Sequence, residues 1–134
     1  MLSHLLDTNL IIELLRGTAG AVTQRMDRFG RGLAVSSISV AELEYGVEHS
    51  HDPAHMRSGL ESLLSLLTVA EFDRVAARHS GQIRHALAEA GTPIGPYDVL
   101  IAGHARALGL PLVTHNTREF SRVPDLPIED WQTD

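Results

Sequence analysis

Short apolar runs punctuate the chain at four places. Leu5-Leu6, Leu33-Ala34-Val35, Thr68-Val69-Ala70 and Leu112-Val113-Thr114 each have the length of a strand buried in a sheet. Between them, apolar residues recur every three or four positions, as on one face of a helix. The pattern predicts a strand over 3–6 and a helix over 10–16 that Gly17 stops. A second helix opens between Gly20 and Thr23 and carries Val22, Met26 and Phe29. After the strand over 33–35, Ser39 with Glu42 fits a capping box, so a helix is expected from Ser39 to about His49. Pro53 restarts a helix with Met56, Leu60, Leu63, Leu64 and Leu67 in register. Asp73 caps a helix that reaches Ala90, and another runs from Tyr97 to Leu108. A helical turn over 118–120 follows the fourth strand, and Leu126 with Ile128 makes a last edge strand before Trp131.

Strands alternating with helices imply an α/β fold, with a short, mainly parallel sheet covered on both faces. No repeat, low-complexity tract or long linker divides the chain, so residues 1–134 are expected to form a single domain. The helices between Pro53 and Ala90 read as a helical arm standing off the body.

Composition narrows function mainly by exclusion. Cysteine is absent, which removes disulfide and thiolate chemistry and suits a reducing cytoplasm. Asp7 and Glu13 interrupt the early apolar residues, and no basic segment precedes them, which argues against a signal peptide or membrane span. With 11 basic and 17 acidic residues the net charge is −6. Such a field does not attract nucleic acid, so RNA or DNA has to be met by local arginines and bound cations. All 11 basic residues are arginine. A phosphate-loop lysine, a Schiff-base lysine and a lysine general base are therefore excluded.

The acids carry the candidate chemistry. Asp7 ends the first strand and opens a helix. It either caps that helix or lies at the carboxyl edge of the sheet, where open α/β folds keep their ligands. Glu42 likewise is either the capping-box partner of Ser39 or a site acid. Asp98 shares a helix face with Ile101, Ala102 and Ala105, and a carboxylate entering an apolar layer needs a partner. Asn116 follows strand four as Asp7 follows strand one, with Thr114 beside it and Glu119 close behind. Capping explains each acid alone; together, two strand ends and two helix starts surround one crevice. Three carboxylates there repel one another by about 4 kcal/mol per pair at ~4 Å and an effective dielectric of ~20. A hard divalent cation, Mg²⁺ or Mn²⁺, offsets that repulsion, since every donor is oxygen.

Other polar residues have plainer readings. Glu44 and Glu48 form a solvated helix face. His49, His51 and His55 straddle a turn and, with no cysteine and no HExxH pair, fit zinc poorly. His104 reads as a helix-surface residue, and His115 lies beside the crevice. Arg74, Arg78 and Arg84, with His79 and His85, decorate one helix as solvated positions. Arg16 and Arg118 lie nearer the crevice, and Arg118 is the first choice for a phosphate contact.

Four segments together resemble a known family. They are Leu5-Leu6-Asp7-Thr8-Asn9, Ser39-Val40-Ala41-Glu42-Leu43 with Gly46, Pro96-Tyr97-Asp98-Val99-Leu100-Ile101-Ala102, and Leu112-Val113-Thr114-His115-Asn116-Thr117-Arg118-Glu119-Phe120. In order and spacing they resemble PIN-domain ribonucleases, and above all the VapC-type toxins of type II toxin–antitoxin pairs. The resemblance implies a PIN-like three-layer α/β/α fold. It implies that Asp7, Glu42 and Asp98 are the catalytic carboxylates and hold Mg²⁺, for which Mn²⁺ can substitute. Where the wider family has a fourth acid this chain has Asn116, a weaker ligand; Glu119 is the nearest substitute. Thr8, Asn9, Thr114 and Arg118 match positions that support the acids or meet substrate. The implied activity is hydrolysis of RNA phosphodiesters by metal-activated water, with Glu42 accepting its proton, leaving a 5′-phosphate and a 3′-hydroxyl. The implied partners are RNA, a VapB-like antitoxin with a basic C-terminal segment, and a second copy of the chain in a homodimer. Two other readings stay open: a PIN nuclease in RNA processing without an antitoxin, and a non-catalytic cation-binding module. A phospho-receiver needs a lysine that this chain lacks.

Overall fold

The computed structural model describes residues 1–132, so the last two residues of the expected domain lie outside the described part. Five strands form one sheet: β1 (His4–Leu6), β2 (Leu33–Ser36), β3 (Thr68–Ala70), β4 (Leu112–Val113) and β5 (Ile128–Glu129). All pairs are parallel and the order is β3-β2-β1-β4-β5. The central strand is β1, whose Leu5 lies beside Ala34 on one side and Leu112 on the other. Parallel pairing in this register brings the chain out of β1, β2 and β4 at the same edge. Asp7, Ser37 and Thr114 emerge there together.

Among the described residues, seven α-helices cover the sheet: α1 (Thr8–Arg16), α2 (Gly20–Phe29), α3 (Ser37–Glu48), α4 (Pro53–Leu64), α5 (Arg74–Glu89), α6 (Pro96–Leu108) and α7 (Thr117–Phe120). The period of two along β1 divides the core. Leu5, with Ala34 and Leu112, packs against Ile83 and Leu87 of α5, Ile101 of α6 and Phe120. Leu6, with Leu33, Val35 and Val113, packs against Leu10 and Ile11 of α1, Val22, Leu43 and Leu60. Leu5 and Leu6 are fully buried, and each such burial stabilises by about 1.5–3 kcal/mol. The apolar lead-in to Asp7 is thereby fixed on both faces.

Three expectations are corrected. The segment from Pro53 to Ala90 is no arm. Leu60 of α4 belongs to the α1–α3 layer, whereas α5 lies on the opposite face along α6. Between them β3 pairs with β2 as an edge strand and carries the chain from one face to the other. Second, α1 starts at Thr8 and α3 at Ser37, and no capping box forms between Ser39 and Glu42. The N-cap of α3 is Ser36, whose Oγ accepts the Ile38 amide at 3.1 Å. Ile38 packs against the α5–α6 core, so the first helical turn is already needed there. Third, His104 is 1% exposed rather than on the surface. Its Nδ1 lies 2.8 Å from Ser36 Oγ, and its ring meets Phe72 edge-on. Burial holds its pKa below the usual histidine range. Residues Ile101 to Ala105 of α6 are all buried, because the helix is enclosed by the sheet and α5.

Candidate active site

Asp7 occupies the N-cap position of α1 with extended backbone, yet its side chain makes no capping bond. Instead its Oδ2 accepts the Thr114 hydroxyl at 2.8 Å, and Thr114 Oγ1 in turn accepts the Asn116 amide at 2.9 Å. A three-member chain thus runs from the β4–α7 turn to the end of β1. Asp7 is 2% exposed. Burial raises its pKa from 3.8 to about 6; the Thr114 hydroxyl lowers it, Asp98 raises it, the nearby Thr8 amide lowers it, and Glu42 raises it.

Glu42 is oriented by α1. The Thr8 hydroxyl donates to its Oε1 at 2.9 Å, and the buried Ser39 hydroxyl lies 2.7 Å from Thr8 Oγ1. A hydroxyl has one proton, so with Thr8 donating to Glu42 it is Ser39 that donates to Thr8. Thr8 was expected near the acids. Ser39 does not cap α3; it orients Thr8, a role that the capping-box pattern does not show. The available signal was its position three residues before Glu42, which puts both on one helix face.

Asp98 lies in the first turn of α6, after N-cap Gly95 and Pro96 at N1. A Cβ on Gly95 would stand 3.1 Å from Asp98 Oδ2, so glycine leaves that carboxylate room. Burial raises the pKa of Asp98, followed by the charges of Glu119 and Glu42. Asp7, Glu42, Asp98 and Glu119 therefore share one electrostatic environment at the carboxyl edge of the sheet. Asn116 stands at the N-cap position of α7 without a side-chain cap bond. Asn9 and Arg118 are exposed on either side. The acids face one another without closing into a cage: among the described residues, no three Asp, Glu or His side chains converge tightly enough to hold an ion as they stand. The same holds for His49, His51 and His55.

The plainer groups also find their places. Arg57 of α4 bridges Glu44 and Glu48. On α5, His79 accepts from Arg106 Nε at 2.9 Å and so belongs to the α5–α6 packing. Among the described residues, no helix is long and apolar enough to cross a membrane.

A five-stranded parallel sheet with four acids gathered at its carboxyl edge defines an α/β domain of the PIN type. The chain belongs to the PIN domain family, whose model matches residues 4–126, and within it to the VapC ribonucleases. It is 44% identical over 131 residues to the tRNA(fMet)-specific endonuclease VapC of Shigella flexneri, covering 98% of this chain and 99% of that one. Its fold matches the DNA-bound VapBC structure from Salmonella typhimurium with a TM-score of 0.95, at 44% identity and 98% and 99% coverage. The promoter-DNA-bound VapBC2 structure from Rickettsia felis matches with a TM-score of 0.92, at 33% identity and 97% and 99% coverage.

Proposed function

We propose that this chain is a divalent-cation-dependent endoribonuclease and the toxin of a toxin–antitoxin pair. The observation that carries the reading is the gathering of Asp7, Glu42, Asp98 and Glu119 at one sheet edge. Like charges help to raise the pKa of both Asp7 and Asp98 there.

The donor set fits a hard cation. It is all oxygen, and a cation offsets the repulsion that, after burial, helps to raise the two pKa values. Asp7, Asp98 and Glu42 would hold Mg²⁺, with Asn116 as a weaker donor, and Mn²⁺ would substitute. When bound, the ion supplies charge neutralisation at the phosphodiester and activation of water. The chain's own residues orient the reaction. Thr114 and Thr8 hold the carboxylates of Asp7 and Glu42 through their hydroxyl protons. With Oε1 engaged by Thr8, the other oxygen of Glu42 takes the proton of the attacking water. Exposed Arg118, beside Asn116, pairs with an RNA phosphate. The products carry a 5′-phosphate and a 3′-hydroxyl.

The name shared by the 44% identical relatives makes tRNA(fMet) the first RNA to test. The VapBC complexes among its structural neighbours support a VapB-like antitoxin partner. A net charge of −6 suits a basic antitoxin segment. Action in the cytoplasm and assembly as a homodimer complete the reading. The test is induced expression in bacteria. Wild type should arrest growth and cut tRNA(fMet), Asp7→Asn should do neither, and co-expression of the neighbouring small protein should restore growth. Unimpaired growth at full expression of the wild type would contradict the toxin reading.

A further inference from the structure

We propose that the cleft between α1 and the β4–α7 turn is a pocket for one unpaired nucleobase adjoining the scissile phosphate. This rests on the nuclease reading above. The cleft has a volume of about 340 Å³, at the small end of the range for ligand pockets. That suits a single ring system and excludes a duplex. Ile12 supplies an apolar wall. Asn9, Glu13 and Arg16 of α1 face His115 and Asn116 across it.

The polar groups are divided between fixed and free. Glu13 accepts a hydrogen bond from the Gln132 side-chain amide and is held against the C-terminal segment. His115 is oriented too. Its Nδ1 lies 3.1 Å from Asp130 Oδ2, and since a carboxylate only accepts, the proton is on Nδ1. Nε2 makes no hydrogen bond among the described residues, and the side chain is 62% exposed. Among the described residues, by contrast, the carboxamides of Asn9 and Asn116 make no hydrogen bond within the protein, and Arg16 has no ionic partner. Each carboxamide offers two donor protons and an acceptor, the complement of a base edge. A held imidazole and a free guanidinium are both groups on which unstacked bases rest. With aromatic content at only 4%, the chain has no broad stacking platform, so base contact has to be concentrated at a single place.

The pocket shares Asn116 with the acid site. The Asn116 amide, the Thr114 hydroxyl and the Asp7 carboxylate form one hydrogen-bonded chain. A base seated between Asn9 and Asn116 accordingly brings its adjoining phosphate beside Asp7.

The test measures binding by fluorescence anisotropy in EDTA. The probes are eight-nucleotide A, C, G and U homopolymers and an abasic ribose-phosphate octamer of the same charge. Wild type should bind at least one homopolymer about tenfold or more tighter than the abasic octamer. His115→Ala and Asn9→Leu should each erase most of that preference; both positions are exposed, so neither change endangers the fold. Equal binding of all five octamers, or none, would overturn the pocket, as would a preference that survives both substitutions. The same octamers are then given Mg²⁺. Cleavage without base preference keeps the nuclease and removes the pocket. Base-selective binding with no cleavage of the octamers or of tRNA(fMet) keeps the pocket and removes the nuclease.

Discussion

Asp7 stands where burial and charge conflict most sharply. An acid whose folded pKa lies above its unfolded value binds its proton more tightly in the native state. Between pH 3.8 and about 6 the native chain therefore holds the extra proton, and stability falls as pH rises through that window. At 1.36 kcal/mol per pKa unit, the ionised carboxylate costs about 3 kcal/mol at neutral pH. Asp7→Asn keeps the shape and an acceptor for Thr114. It should raise stability at pH 7.5 by up to about 3 kcal/mol and leave it unchanged at pH 3.5, as read by urea unfolding. A variant less stable than wild type at pH 7.5 would contradict this. Thr8 offers a second check, because its one hydroxyl serves both Ser39 and Glu42. Thr8→Val should lower kcat about 10- to 100-fold by loosening Glu42, and Thr8→Ser should restore it; equal rates for both would sink the orienting role. The placement of Asp7 at a strand end and of Asp98 in a first helical turn was legible in the sequence, whereas Glu42 lies in the middle of α3 rather than at its start. What holds the acids was not legible. Thr114 is 107 residues from Asp7 and Thr8 is 34 from Glu42, and local capping rules see only neighbours.

Helices α3 and α6 carry Glu42 and Asp98, so their relative position decides the site. Two contacts set it. His104 of α6 joins Ser36, the cap of α3. Gly103 lets α5 press against α6, and a Cβ there would stand 2.7 Å from the Ser80 backbone. Gly103→Ala should cost about 1–3 kcal/mol and move α6 with its acid, so the melting temperature and cleavage rate fall together. An alanine variant with the wild-type melting temperature would refute the close approach. Apolar spacing and capping residues together located the seven α-helices, yet they missed the starts of α1 and α3, because apolar spacing reports the buried face rather than the first turn. It also misread His104, whose burial depends on α5 lying across α6. The arm reading failed for a related reason. The run Thr68-Val69-Ala70 was readable as a strand, but nothing local says that β3 lies at the edge, pairs with β2 alone, exposes Thr68 and Val69, and carries the chain from one face of the sheet to the other.

For the whole molecule, parallel alternation was readable, whereas the order β3-β2-β1-β4-β5 was not, since nothing local says which strands are neighbours. That order is what brings the acids to one edge of a chain already charged to −6. A cation that binds the folded state alone stabilises it, by about 2.7 kcal/mol at a hundredfold excess over its dissociation constant. Mg²⁺ should therefore raise the melting temperature of wild type and leave that of Asp98→Asn unmoved; an equal rise in both would place the ion elsewhere. The most direct measurement is cleavage of bacterial RNA, with tRNA(fMet) probed, by wild type and Asp98→Asn with Mg²⁺ in the presence and absence of EDTA. The acid crevice predicts cutting by wild type with Mg²⁺ alone, abolished by EDTA and by the substitution. Equal cutting in every condition would contradict it.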